Sequence, residues 1–137
     1  MKKYSIYPII CLCLCWILSA CSDSKEEFSD YLTPTPESQT AFSQGLSFTD
    51  AALTQSITFE AGNTWKATLE GENASAWCRV NPTQGNAGKS TISISASKNE
   101  KNESRSATLV ISAGTVNKQV SITQAAKPYV APEGLSY

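Results

Sequence analysis

Between Leu46 and Gln124, runs in which apolar and polar residues alternate appear repeatedly. Ile57 and Phe59 alternate with Ser56, Thr58 and Glu60. Trp65, Ala67 and Leu69 alternate with Lys66, Thr68 and Glu70. Ile92, Ile94 and Ala96 alternate with Ser93, Ser95 and Ser97. Ala107, Leu109 and Ile111 alternate with Thr108, Val110 and Ser112, and Val120 and Ile122 with Ser121 and Thr123. A period of two puts the apolar side chains of an extended chain on one face, so each run is a strand with one dry side. With Leu46-Ser47-Phe48 and the short run Trp77 to Val80, about seven strands are expected.

Turn signals separate these runs: Ala61-Gly62-Asn63, Gly71-Glu72-Asn73, Asn81-Pro82-Thr83-Gln84-Gly85, Asn99 to Asn102, and Ala113-Gly114. Pro presets φ for a turn position, and Asn and Gly tolerate the positive φ that tight turns demand. No segment sustains a helical period. Short strands at this spacing predict an all-β, immunoglobulin-like sandwich over residues 45–126, with room for one modest core. Trp65 and Trp77 are expected in that core, filling the volume that a Cys pair occupies in antibody domains.

The chain opens differently. Lys2 and Lys3 precede an apolar run, Ile9 to Leu18, and then Leu18-Ser19-Ala20-Cys21. The run is too short to span a bilayer, which takes roughly 20 residues. The motif resembles a bacterial lipobox. It implies a signal peptide over 1–20 and a lipidated Cys21, with two or more acyl chains needed for stable anchoring. Ser22-Asp23-Ser24-Lys25-Glu26-Glu27 follows. This cluster is similar to the export signal of some Bacteroidota surface lipoproteins, or is simply a solvated acidic linker. An outer-membrane lipoprotein, outward-facing under the first reading, is the expected location. Residues 21–44, with Thr33-Pro34-Thr35-Pro36-Glu37, read as the lipidated Cys and a flexible acidic linker, and 127–137 as a C-terminal tail or truncated linker.

Charge and composition exclude several function classes. Residues 45–126 hold seven bases and six acids, with no basic stripe, so nucleic acid is excluded as an expected partner. The chain has no histidine, which removes Ser-His-Asp and Cys-His catalysis and the commonest zinc ligand. Three of five cysteines leave with the leader and Cys21 carries lipid, so Cys78 stands alone, as a small buried hydrophobe or, in the lesser reading, as one half of an intermolecular bridge. No metal and no cofactor are expected. Glu70 and Glu72 flank Gly71 in a turn and read as solvated carboxylates, not as a glycosidase pair.

An ordered set of short motifs then points to a family. It runs Leu46-Ser47-Phe48, Ile57-Thr58-Phe59, Asn63-Thr64-Trp65, Ala76-Trp77-Cys78-Arg79-Val80-Asn81-Pro82, Gly85, Thr91-Ile92-Ser93-Ile94, Arg105-Ser106-Ala107-Thr108-Leu109 and Val120-Ser121-Ile122-Thr123-Gln124. Over 45–126 the chain resembles the BACON domain of Bacteroidota, departing from it at Cys78, where the family usually has Leu. The resemblance implies an immunoglobulin-like sandwich, often placed before glycoside hydrolases, proteases and other surface domains. Some members serve only as spacers.

Two functional readings stay open. The leading one is a non-catalytic, lipid-anchored envelope module that binds glycans (polysaccharide or mucin), with Trp65 and Trp77 as the candidate ligand-binding rings. Loop amides at Asn63, Asn73, Asn81, Asn86, Asn99 and Asn102 would assist. The alternative is a structural spacer or protein-docking domain with no carbohydrate ligand, whose partner is another surface protein. Exposed tryptophans would favour the first and buried ones the second. Arg105, at the start of a strand, is expected to bond a turn carbonyl or carboxylate.

Overall fold

A computed structural model describes residues 29–134. The signal peptide expected over 1–20, the lipidated Cys21 and the first residues of the linker lie outside the described residues. In chain order the elements are β1 (Leu32–Pro34), α1 (Gln39–Gln44), β2 (Leu46–Phe48), β3 (Leu53–Ala61), β4 (Trp65–Glu70), α2 (Ala74–Trp77), β5 (Cys78–Asn81), β6 (Gln84–Gly85), β7 (Gly88–Ala96), β8 (Arg105–Ala113) and β9 (Val116–Gln124).

The strands form two sheets, β1-β3-β7-β5 and β2-β9-β8-β4-β6. Every pairing is antiparallel except β2 with β9. The all-β sandwich expected from the alternation is the observed fold. Its inner faces carry the alternating apolar residues: Ile57, Phe59, Ile92 and Ile94 from one sheet, Trp65, Leu109, Ile111, Val120 and Ile122 from the other, all buried. Phe59 meets Trp65 edge to face, with centroids 5.1 Å apart and planes at 81°, a geometry that the ring quadrupoles favour. The outer faces are polar. On the smaller sheet Thr54 pairs with Ser95, Ser56 with Ser93 and Thr58 with Thr91.

Among the described residues nine strands stand where about seven were expected. The two added ones, β1 and β6, are too short to show a period. The larger correction concerns residues 21–44, read as a flexible linker. From residue 29 onward this segment is part of the sandwich. β1 pairs with the outer edge of β3, with Leu32 opposite Ala61. The Thr35 amide donates to the Thr58 carbonyl at 3.0 Å, and the Thr58 amide donates to Ser38 Oγ at 2.8 Å. Leu32 and Ala41 are buried, and Phe42 packs edge-on to Phe59 at 6.5 Å. Polar composition misleads here because an edge strand contributes backbone hydrogen bonds, which any sequence can make. Pro34 is admissible only because β1 is an edge. α1 ends at Gly45, whose φ of 86° suits a residue without Cβ.

Candidate functional site

The registers define two ends. At the near end lie Ala61, Trp65, Gly88, Ala113 and Val116, and here the chain enters through Asp30. At the far end lie Leu53, Glu70, Ala96, Arg105 and Gln124, and here it leaves toward Lys127. A nine-residue strand such as β3 separates the ends by about 27 Å at roughly 3.3–3.4 Å per residue.

The near end is fastened by Asp30. Its Oδ1 accepts from Asn63 Nδ2 at 3.0 Å. Its Oδ2 accepts from the Thr115 amide and hydroxyl, both at 3.0 Å. One carboxylate thus ties the β3–β4 turn to the β8–β9 turn. The Asn63 amide first, then the two Thr115 donors, hold the carboxyl below its ordinary range. Gly114 takes φ 59° in that second turn, and any side chain there would strike the Asp30 carboxylate. Asp30 lay inside the expected linker, and no local motif marks it.

The far end is built on Gln124, Arg105 and Asn99. Gln124 and Asn99 are both fully buried. Gln124 Nε2 donates to the carbonyls of Ser97 at 2.8 Å and Ala51 at 3.4 Å. Its Oε1 accepts from Arg105 Nε at 2.8 Å. Arg105 also donates to the carbonyls of Ser97 (3.0 Å) and Lys98 (3.2 Å), as expected of a structural arginine. Asn99 Nδ2 donates to the carbonyls of Glu103 and Ala125, each at 2.9 Å, and its Oδ1 accepts from the Lys101 amide. Asn99 was offered as a sugar-contacting loop amide; its burial corrects that. The signal for Gln124 was present in the alternation: it follows Val120 and Ile122 at an inward position, where a polar side chain needs internal partners.

Trp77 ends α2, which follows a turn with Gly71 at φ 133° and Asn73 at φ 54°. Arg105 lies 4.7 Å above its ring, a cation–π arrangement. Clefts open on both sides of Trp77. One, of about 530 Å³, is lined by Ala52, Leu53, Ala76, Trp77, Arg79 and Ser95. The other, of about 460 Å³, is lined by Glu72, Asn73, Trp77, Lys101, Glu103 and Arg105. Arg79 is exposed and has no ion pair among the described residues; no local sequence signal marks it.

Neither candidate ring is a platform. Trp77 is 5% exposed and Trp65 1%. Stacking on a sugar needs an open face; Phe59 and Gly85 close on Trp65, and Arg105 covers a face of Trp77. Trp65 donates its Nε1–H to Ser90 Oγ at 2.9 Å. It is roofed by Gly85, where an added Cβ would sit 2.6 Å from the indole. The large exposed apolar side chains among the described residues are Tyr31, Leu53, Tyr129 and Val130. Glu70 and Glu72 are exposed and line an open groove with Arg105 and Ser121. Cys78 is buried as a free thiol. Burial pushes its pKa up, and the nearby Arg105 charge opposes this only in part. Among the described residues no three His, Cys, Asp or Glu side chains gather as a metal site.

Comparison with known proteins agrees with this architecture. Residues 65–125 match the BACON family model, described as "Putative binding domain, N-terminal". No curated protein matches the chain. Among solved structures, the chain is similar to a Bacteroides ovatus GH5 xyloglucanase in complex with a XXXG heptasaccharide. The TM-score is 0.58 and the identity 22%, over 75% of this chain and 20% of that one. A Bacteroides thetaiotaomicron protein solved by NMR gives TM-score 0.47 and 20% identity, over 80% of this chain and 99% of that one. Domains 4 and 5 of the S-layer protein SbsC give 0.46 and 16%, over 72% and 54%. At 22% identity the likeness to the xyloglucanase is one of fold, and the chain spans only a fifth of it.

Proposed function

With residues 65–125 read as a BACON domain, we propose that this chain is a non-catalytic, lipid-anchored spacer of the bacterial cell envelope, in the outer membrane and facing outward. The observation that carries this reading is the path of the chain. It enters at one end of the sandwich and leaves at the other, about 27 Å away, and both points are clamped. Asp30 fixes the first. Asn99 and the bond from the Lys127 amide to the Lys101 carbonyl (2.8 Å) fix the second. A domain held this way transmits a direction from its anchor to whatever adjoins its far end. Burial of both tryptophans supports the same reading, because it removes the candidate sugar-binding rings.

Glycan binding is the second reading, favoured by one feature. The cleft beside Trp77 combines an apolar floor (Ala52, Leu53, Ala76) with the guanidinium of Arg79, which has no ion pair among the described residues, and the hydroxyls of Thr54 and Ser95. Affinity electrophoresis of residues 22–137 against plant polysaccharides and mucin glycans separates the two. The spacer reading expects no retardation from protein shown to be folded. Saturable retardation that disappears in Arg79→Ala would replace it with a carbohydrate module.

A further inference from the structure

We infer that the near end of the sandwich rests on the lipid surface, with Tyr31 at the contact, so that the Trp77 end points away from the membrane. This deepens the proposed spacer role and rests on lipidation of Cys21. Only eight residues separate Cys21 from Asp30, because residues 29–44 belong to the fold and not to the leash. Such a segment spans at most about 30 Å when fully extended, against the roughly 80 Å that a linker running to residue 44 would allow. Placing the far end on the membrane would require the segment to run back along the whole sandwich, at nearly full extension. A chain drawn out to its contour limit is entropically disfavoured. The upright arrangement carries no such cost.

The surface that the upright arrangement turns to the lipid has a feature that fits it. Tyr31 follows the Asp30 clasp directly, and its carbonyl accepts from the Gly62 amide at 2.9 Å. Its ring lies against Gly62, where an added Cβ would collide with it. The side chain remains 42% exposed. A tyrosine ring has an apolar body and a polar tip, which suits the headgroup layer. Its backbone position is fixed by β1, so the ring is presented at a set place rather than on a free tail.

The test uses the full lipidated chain in phosphatidylethanolamine–phosphatidylglycerol vesicles that carry a headgroup nitroxide quencher. In a Cys78→Ala background, Asn117→Cys labels the near end and Glu103→Cys the far end, each with a fluorophore. Asn117 is the second residue of β9, and Glu103 lies in the far-end loop before β8. Strong quenching at position 117 with little at 103, and weaker quenching at 117 in Tyr31→Ser, is the expected result. Equal quenching at both positions, on protein shown by mass spectrometry to be lipidated, overturns the orientation and leaves the spacer reading standing. Absence of lipid on Cys21 overturns the anchor and the orientation with it.

Discussion

Arg105 Nε and Gln124 Oε1 lie 2.8 Å apart across the first rung of the β8–β9 ladder. This bond joins the strand that begins at the far end to the strand that finishes there. Gln124 is fully buried and spends its amide hydrogens on the Ser97 and Ala51 carbonyls. One side chain thus holds the loop after β7, the segment before β3 and the start of β8. Removing it leaves buried polar groups without partners, which is costlier than never having had them. Gln124→Leu should lower stability by about 2–4 kcal/mol, read as a lower urea midpoint with an unchanged slope.

The segment before residue 45 should behave as structure and not as linker. Leu32→Ala should cost about 2–3 kcal/mol, since it empties a buried site beneath the β3 edge. A chain beginning at residue 45 should melt well below one beginning at residue 22. Equal melting temperatures would return residues 29–44 to the status of a tether.

Asp30 should give the domain an acid-sensitive step. Its carboxyl is held below the ordinary range, chiefly by the Asn63 amide and then by Thr115. The folded pKa is thus lower than the unfolded one. The contribution is therefore present above the unfolded carboxylate value and is lost as pH falls through the folded pKa. NMR titration should find the Asp30 carboxyl titrating below the ordinary aspartate range. In Asp30→Asn, the Thr115 amide should exchange faster and this acid-linked step should vanish.

Cys78 should be silent in the folded protein. It is buried, its pKa is raised by that burial, and no second described cysteine can pair with it. A thiol reagent should label it only in denaturant. Cys78→Ser should cost about 1–3 kcal/mol, the price of a hydroxyl in an apolar site. Rapid labelling of the native protein would contradict this packing.

Trp65 should prove a core residue and not a ligand contact. Trp65→Ala should cost about 3–5 kcal/mol, while Trp65→Phe should lose mainly the bond to Ser90 and the indole contact with Gly85. Fluorescence of the native protein should be blue-shifted and resist acrylamide. Quenching by added polysaccharide would count against the burial described here.

Much of this could be read from the chain. The period of two assigned Ile57, Phe59, Ile92, Ile94, Leu109, Ile111, Val120 and Ile122 to inner faces, because pleating sends alternate side chains to opposite sides whatever the neighbours are. The turn residues separated seven of the strands for an equally local reason. Arg105 found carbonyl partners at its strand start, and Cys78 was buried as expected. What sequence alone could not supply were relations between distant segments. β1 is a strand only because β3 offers an open edge, and nothing in Leu32-Thr33-Pro34 announces that edge. Asp30 becomes a clasp only when the turns at Asn63 and Thr115 meet beside it. Trp65 and Trp77 are both expected in strand positions, but Trp77 instead ends α2, and whether a face stayed open depended on Gly85, Phe59 and Arg105 closing over them. Local steric rules act through neighbours along the chain, so the sequence determines where strands form and which side is dry. Burial, clasps and the opposite placing of the two chain ends depend on contacts made only when the sheets close, and those the tertiary structure decided.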